Sequence, residues 1–164
     1  MYKKETLNNK MKVITYQNNN IHSVNMSLYF KAGVEYETKD VKGISHLIEH
    51  LCFRNLNGMD IETLYNKMSN IGAVLRAETY KNCIRFYMTV VDKYFSEALD
   101  IMKNLINNRD WTAEEISAEK KIVLNQIENK GEKSFKEQID SLYYKNLNLQ
   151  NLIMGNKSDV KRLT

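Results

Sequence analysis

Proline is absent from this 164-residue sequence, and cysteine occurs twice, as Cys52 and Cys83. Two cysteines cannot build the disulfide framework that holds small secreted domains together, so we interpret both as buried free thiols. A membrane-spanning helix requires about 18 consecutive apolar residues, and every apolar stretch of this sequence is much shorter. Residues 1–5 also lack the apolar core that is typical of a signal peptide. These absences favour a cytoplasmic protein with no membrane association.

A strong charge of one sign is also missing. The 24 basic and 20 acidic residues give a formal net charge of +4, and no four basic residues follow one another. Because aromatic residues are not interleaved with basic ones, as a nucleic-acid-binding stripe would need, we expect no nucleic-acid partner. With 43% hydrophobic and 27% charged residues, the chain suits an ordinary globular domain with a sizeable core.

The most informative stretch is residues 43–53, which contain His46-x-x-Glu49-His50. Residues four apart lie on one face of a helix, so both imidazoles can reach one ion, and Glu49 lies close enough to accept a proton from water. The order of the residues is the inverse of the His-Glu-x-x-His zinc helix. The alternative is a helix with two surface histidines and an unrelated glutamate. Two of the three histidines of the chain fall in this motif, which favours a metal site.

The first third of the chain and residues 74–91 predict strands. Residues 6–16 indicate a hairpin with its turn at Asn8-Asn9, and residues 74–91 indicate two strands with a bend at 80–82. Residues 24–30 alternate between apolar and polar, which places four side chains on one face: Val24, Met26, Leu28 and Phe30.

Four further segments predict helices, over residues 60–70, 92–107, 112–131 and from 134 onward. Capping signals support them: Asp60 suits an N-cap, and Thr112-x-x-Glu115 and Ser134-x-x-Glu137 are capping-box patterns. Apolar residues at helical spacing predict the buried faces: Ile61, Leu64, Tyr65 and Met68; Phe95, Ala98, Leu99, Met102 and Ile106; Ile116, Ile122, Val123 and Ile127; Phe135, Ile139 and Leu142.

This order of elements predicts an α+β fold, in which an antiparallel sheet is covered on one face by helices. We expect residues 1–164 to form a single domain. Residues 155–164 stop at what reads as the start of a helix, and we expect from this that the domain is truncated at its C-terminal end.

Several spaced blocks resemble the pitrilysin-type (M16) zinc metallopeptidase family, and specifically its N-terminal-type half. The most specific block is AGxxYE followed by GxxHxxEHxxF within residues 32–53. The segment GAxxxAxT at 72–79 is similar to the strand that pairs with extended substrate in the family. Residues 119–127, with the pattern ExxxVxxxI, are similar to the helix that supplies the third metal ligand.

The resemblance implies a zinc-dependent endopeptidase that acts on short extended peptides. His46 and His50 would bind Zn²⁺, and Glu49 would be the general base that takes a proton from the attacking water. A peptide would add as a strand beside four residues, through backbone hydrogen bonds that tolerate many sequences. These residues are Arg76, Ala77, Glu78 and Thr79.

Two positions depart from the family pattern. The third ligand of the family is a glutamate 76 residues after the second histidine and seven after another glutamate, and here that position is Gln126. Glutamine offers a neutral carbonyl oxygen in place of a carboxylate. Glu119, two turns earlier, is the nearest substitute, and we assign it to the catalytic set with Glu49. Arg76 is the second departure, since the family often has asparagine there.

Family members work as two homologous halves that close over substrate. The resemblance therefore implies a second M16-like half, as a homodimer, as a heterodimer or as the C-terminal half of a longer chain. The alternative function is a catalytically weak or inactive half that binds peptide or scaffolds an active partner. Gln126 favours this alternative, whereas the intact His46, Glu49 and His50 favour the peptidase.

Overall fold

The computed structural model describes residues 2–54, 56, 58–107, 110–131 and 134–163. These residues contain five strands and six α-helices. In chain order they are β1 Tyr2–Thr6, β2 Lys12–Tyr16, β3 Ser23–Phe30, α1 Ile44–Leu51, α2 Ile61–Asn70, β4 Val74–Thr79, β5 Ile84–Val91, α3 Phe95–Asn107, α4 Ala113–Lys130, α5 Phe135–Tyr143 and α6 Lys157–Arg162.

A three-stranded antiparallel sheet, in the order β3-β5-β4, forms the centre of the fold. One face of the central strand β5 is buried through four alternating apolar residues: Ile84, Phe86, Met88 and Val90. Met88 pairs with Met26 on one side and Leu75 on the other, and the same buried cluster includes residues of α2 and α3. The predicted α+β fold, with helices on one face of an antiparallel sheet, is confirmed.

The predicted N-terminal hairpin is also confirmed, although its first strand begins earlier than the pattern indicated. β1 and β2 form a separate two-stranded sheet, paired from Tyr2–Tyr16 to Thr6–Lys12, with the turn between them. Nearly all of its residues are exposed. The hairpin therefore contributes little to the core that supports the candidate site.

Local capping chemistry sets the helix starts as the sequence predicted. The carboxylate of Asp60 accepts a hydrogen bond of 2.7 Å from the backbone N–H of Thr63 at the start of α2. Thr112 and Ser134 each open a helix, α4 and α5, with a complete capping box. Such caps replace the hydrogen bonds that the first N–H groups of a helix lack.

A second apolar cluster lies where α1, α4 and α6 meet, and it holds the helix that carries the histidines. Its buried members are Leu47, Leu51, Val123, Val160 and Leu163. Because Leu47 and Leu51 are four residues apart, they occupy one face of α1 and leave another face for His46 and His50.

The predicted buried faces were wrong in part for α2, α3 and α4. On α3 the buried set is Ala98, Ile101, Met102 and Leu105, which follows the spacing of a single stripe, so that Phe95 and Leu99 are exposed. Ile61 and Tyr65 on α2 and Ile122 on α4 are likewise exposed. In each case the apolar stripe is narrower than the run of apolar residues suggested.

The predicted core face of α5 was wrong altogether. Phe135 is 78% exposed and Leu142 is 75% exposed, and Ile139 is also exposed. The buried residue of this helix is Asp140, whose carboxylate lies 3.4 Å from Lys81 and 3.2 Å from Lys136. Because Lys136 belongs to α5 itself, it is the ion pair with Lys81 that ties this helix to the segment before β5, in the described part of the chain. The cysteines differ as well, since Cys52 and Cys83 are only partly buried.

Burial of Leu64 in the main core can be tested by truncation. Leu64→Ala should lower the free energy of unfolding by about 2–5 kcal/mol, because the fully buried side chain would leave a cavity. Leu142→Ala makes the same chemical change at an exposed position of α5 and should cost less than about 0.5 kcal/mol. Urea denaturation followed by circular dichroism measures both, and equal losses would contradict the assigned burial.

Candidate metal centre

A buried carboxylate fixes the start of α1. Glu37 is 4% exposed, and its two oxygens accept hydrogen bonds from the backbone N–H groups of Gly43, at 2.9 Å, and Ser45, at 3.0 Å. These N–H groups have no acceptor within the helix, and the helix dipole favours negative charge at this end. The Ser45 hydroxyl in turn accepts from the backbone N–H of Gly33 at 3.0 Å. The first turn of the histidine-bearing helix is therefore held from two directions.

Gly43 is needed at this start for two reasons. Its φ of +83° lies in the left-handed region, and a Cβ atom there would come 2.5 Å from the carbonyl oxygen of Met154. The segment that follows α5 thus packs directly against the backbone at the N-terminus of α1.

His46 and His50 lie one turn apart on the same side of α1. Their ring centroids are 4.8 Å apart, with the ring planes at 77°. Both side chains are partly buried, as is Glu49 between them. The structure brings the three motif residues together as the spacing predicted.

Gln126 of α4 reaches the first histidine. Its side-chain oxygen lies 3.1 Å from His46 Nε2. His46 Nδ1 is buried without a hydrogen-bond partner, and the carboxylate of Glu49 stands 3.5 Å from it. Burial lowers the pKa of His46, but the contacts with Glu49 and Gln126 and the negative charge of Glu49 outweigh it, so the net shift is upward.

Glu119 supports the second histidine. One oxygen of this buried carboxylate lies 3.0 Å from His50 Nδ1, and the other accepts a hydrogen bond from Arg54 Nε. A carboxylate at Nδ1 favours the tautomer with its proton there, which leaves Nε2 as the ligand atom. Both oxygens of Glu119 are thus engaged beside His50, and its use as third ligand in place of Gln126 stays a prediction.

Arg54 is a member of the site that the sequence reasoning missed. It lies four residues after His50, the same spacing that joins the two histidines, and this was the signal available. It could not be recognised because Arg54 lies beyond the end of α1, where the helical rule no longer places side chains.

Glu49 is connected to the sheet through Thr79. The Thr79 hydroxyl, at the end of β4, donates a hydrogen bond to the Glu49 carboxylate. Burial raises the pKa of Glu49, but the contacts with His46 and Thr79 and the charge of the histidines outweigh it, so the net pKa lies below the ordinary value. Glu49 is therefore held as a carboxylate beside the end of β4.

β4 is an edge strand whose outward-facing backbone groups can be identified. The N–H of Tyr80 donates to the carbonyl of Cys83 at 2.8 Å, which makes this pair hydrogen-bonded. Hydrogen-bonded pairs recur at every second residue of an antiparallel ladder, so Glu78 and Arg76 also point their backbone groups toward β5. The N–H and C=O groups of Ala77 and Thr79 then point away from β5, where no strand pairs with β4 within the described residues.

The donor set fits a zinc ion, with reduced charge compensation. No group of three or more His, Cys, Asp or Glu placed to hold a metal ion occurs in the described residues. The oxygen beside His46 belongs instead to the neutral amide of Gln126. Zn–N bonds of about 2.0–2.1 Å and Zn–O bonds of about 2.0–2.2 Å place two ligands of a tetrahedral ion about 3.4 Å apart. The 3.1 Å between His46 Nε2 and the Gln126 oxygen is close to that separation.

Comparison with known proteins decides the family. The family described as Insulinase (Peptidase family M16) matches residues 12–157. The chain belongs to peptidase family M16. A probable mitochondrial-processing peptidase subunit beta of Arabidopsis thaliana is 24% identical over 162 residues, which cover 97% of this chain and 30% of that relative. An uncharacterized zinc protease of Bacillus subtilis is 26% identical over 127 residues, which cover 77% of this chain and 31% of the relative.

A crystal structure of a protease from Helicobacter pylori has the same fold. It superposes with a TM-score of 0.89 over 100% of this chain and 41% of its own, at 18% identity. The predicted M16 family is thus confirmed. The Bacillus relative is itself named a zinc protease. This chain spans less than a third of the length of these two curated relatives.

In residues 2–163, apart from the gaps given above, no helix combines the length and apolar character that crossing a membrane would take. The cytoplasmic setting stays a prediction, since the name of one relative is mitochondrial.

The anchoring role of Glu37 can be tested by removing its carboxylate. Glu37→Ala should lower the free energy of unfolding by about 1.5–3 kcal/mol, because two buried N–H groups lose a charged acceptor. Zinc affinity should fall as well, since the first turn of α1 carries His46. Glu35→Ala removes an exposed carboxylate two residues away and is the control. Urea denaturation and zinc titration measure the two effects, and equal losses in both variants would contradict the role of Glu37.

The position of Gln126 can be tested by restoring the carboxylate. Gln126→Glu should tighten zinc binding by at least about tenfold, the lower end of what even outer-shell changes produce. The two side chains are nearly isosteric, so the change can be attributed to charge. Asn125→Asp adds the same charge at the adjacent exposed position and should leave the affinity almost unchanged. Isothermal titration with zinc at one pH compares them. Equal affinity of Gln126→Glu and the unaltered chain would mean that residue 126 does not face the metal.

Proposed function

We propose that this chain is one half of an M16-type zinc endopeptidase that cuts short extended peptides. The observation that carries the proposal is the connection of Glu49 to both parts of the site. Glu49 lies between His46 and His50 on α1, and it accepts a hydrogen bond from Thr79 at the end of the edge strand β4. A carboxylate that could act as the general base thus lies beside the candidate metal ligands and beside a strand whose outer edge is unpaired in the described residues.

Peptide binding is proposed along β4. The outward N–H and C=O groups of Ala77 and Thr79 can form a ladder with an extended peptide, and such backbone pairing tolerates many side chains. The side chains of Arg76 and Glu78 lie on the face of the sheet away from α2 and α3. Because Thr79 also holds Glu49, a peptide paired at Thr79 is carried next to the base.

The chemistry divides among the residues of α1 and α4. His46, His50 and the Gln126 oxygen would hold the zinc ion, which when bound lowers the pKa of a water ligand toward about 7 and polarises the scissile carbonyl. Glu49 is ionised and accepts the proton of the attacking water, with Thr79 orienting its carboxylate. Glu119 fixes the ring of His50.

A second candidate function is favoured by Gln126. The site would bind Zn²⁺ through two imidazoles and an amide, none of which carries negative charge. Such a half would retain the peptide-binding edge while cleaving weakly, and would bind peptide or support an active partner. In both cases we propose a second M16-like half as partner, and a single peptidase-type domain over residues 1–164.

The assigned base gives the deciding experiment. Glu49→Gln should reduce cleavage of a fluorogenic peptide by about 10²–10⁴-fold while leaving zinc bound, because it removes the base and keeps the ligands. His46→Ala should lose both cleavage and zinc, and Glu97→Gln, on the exposed side of α3, is the control. Cleavage that survives Glu49→Gln would show that the base is wrong. An unaltered chain that binds zinc and peptide without cleaving would instead favour the second candidate.

A further inference from the structure

Two opposite charges lie on one face of the edge strand. Arg76 and Glu78 are two residues apart on β4, so their side chains project to the same face of the sheet. This is the face opposite the buried Phe86 and Met88, and their cross-strand neighbours there are Tyr87 and Arg85. We call it the open face of the sheet, since α2 and α3 cover the other one.

Glu78 is held as a carboxylate by its surroundings. Tyr80 and Tyr87 both donate hydroxyl hydrogen bonds to it, and the hydrogen bond from Tyr80 holds its pKa below the ordinary value. Arg85 Nη1 lies 3.7 Å from the Glu78 carboxylate. The same guanidinium lies over the Tyr87 ring, 4.1 Å from its centroid, and donates a hydrogen bond of 3.2 Å to the Ser27 hydroxyl. The side chain of Glu78 is 41% exposed, so a further cation from outside the chain can reach its carboxylate.

Arg76 has no such compensation. It is exposed, and no carboxylate of the described residues forms an ion pair with it. The free edge of β4 therefore presents a positive and a negative side chain, in that order along the strand, beside the backbone groups that would bind a peptide.

The ladder geometry specifies which peptide side chains would meet these charges. Ala77 and Thr79 offer their backbone groups to an added strand, so the peptide residues opposite Arg76 and Glu78 form non-hydrogen-bonded pairs. In such pairs the Cα atoms are about 4.5 Å apart and the side chains come closest, on the same face. An antiparallel strand continues the pattern of this all-antiparallel sheet. Running in that direction, the peptide passes Glu78 before Arg76.

We propose that the β4 edge selects extended peptides with a basic residue followed two positions later by an acidic one. The basic side chain lies beside Glu78 and the acidic one beside Arg76. This inference rests on the proposed function, because it assumes that peptide adds as a strand to β4, and it assigns the specificity of that same site to Arg76 and Glu78.

Two peptides of identical composition test the order of charges. Each has nine residues, blocked termini, a neutral fluorophore and uncharged strand-forming residues, apart from Lys-x-Glu in one and Glu-x-Lys in the other. Fluorescence anisotropy with the unaltered chain, in the presence of a chelator that prevents cleavage, gives both affinities. Either peptide can shift its register along β4 so that one of its charges lies beside the opposite charge of Arg76 or Glu78. Only Lys-x-Glu places both charges beside their opposites in one register, so it should bind up to about fivefold tighter.

A charge exchange in the protein supplies the decisive variant. Arg76→Glu combined with Glu78→Arg should reverse the preference. Glu97→Arg combined with Lys103→Glu makes the same exchange at exposed positions of α3, on the covered side of the sheet, and should leave the preference unchanged. All variants keep the net charge of the chain.

The outcomes separate the inference from the function beneath it. Equal affinity for both peptides, or a preference for Glu-x-Lys, would overturn the proposed selectivity while leaving peptide binding intact. A preference that persists through the Arg76 and Glu78 exchange would also overturn it. Failure of both peptides to bind would remove the proposed function of the β4 edge, and the selectivity with it.

Discussion

The candidate site depends first on how the N-terminus of α1 is held. The carboxylate of Glu37 accepts two backbone N–H groups there, and its surroundings exclude most solvent. Burying a carboxylate is costly unless its oxygens are hydrogen-bonded, so Glu37 needs these two N–H groups as much as they need an acceptor. The contact therefore fixes Glu37 and the first turn of α1 relative to each other. Because His46 lies one turn into α1, any displacement of this first turn moves a candidate ligand. The approach of Met154 to Gly43 leaves little room for such a displacement.

From this fixed start, α1 is tied to two different structural layers. His50 contacts Glu119 of α4, and Glu49 contacts Thr79 of the sheet. The apolar residues of the same helix pack against α4 and α6. The candidate ligands and the edge strand β4 are therefore connected through a helix of eight residues. Each polar contact reaches a partner far away in sequence, so the site forms only when the complete fold is in place.

Local features of this fold could be predicted from sequence, and those that depend on tertiary cover could not. The capping boxes at Thr112 and Ser134 require residues three apart, and the histidine pair requires residues four apart. The resemblance to the family predicted that residue 126 faces the histidines, and the Gln126 side chain does contact His46. By contrast, helical spacing places Phe135, Ile139 and Leu142 on one face of α5, but it does not show whether another element covers that face. The prediction that this face is buried is wrong for that reason. Arg54 could not be predicted as a member of the site, because its partner Glu119 is 65 residues away in sequence and its own segment is not helical.

The charges around the candidate metal site give Gln126 a specific physical consequence. Arg54 already compensates Glu119, so that carboxylate adds little net negative charge for a divalent ion. With an amide at position 126, the negative charge acting on His46 comes first from Glu49, whose carboxylate lies 3.5 Å from its Nδ1, and then from Glu37. An uncompensated positive ion nearby stabilises the ionised form of a carboxylate and weakens it as a base. A single residue would then have to offset the charge of the ion and accept the proton of the water, and each demand opposes the other. A glutamate at position 126 would separate the two tasks, because its carboxylate would offset the charge of the ion and leave Glu49 to accept the proton.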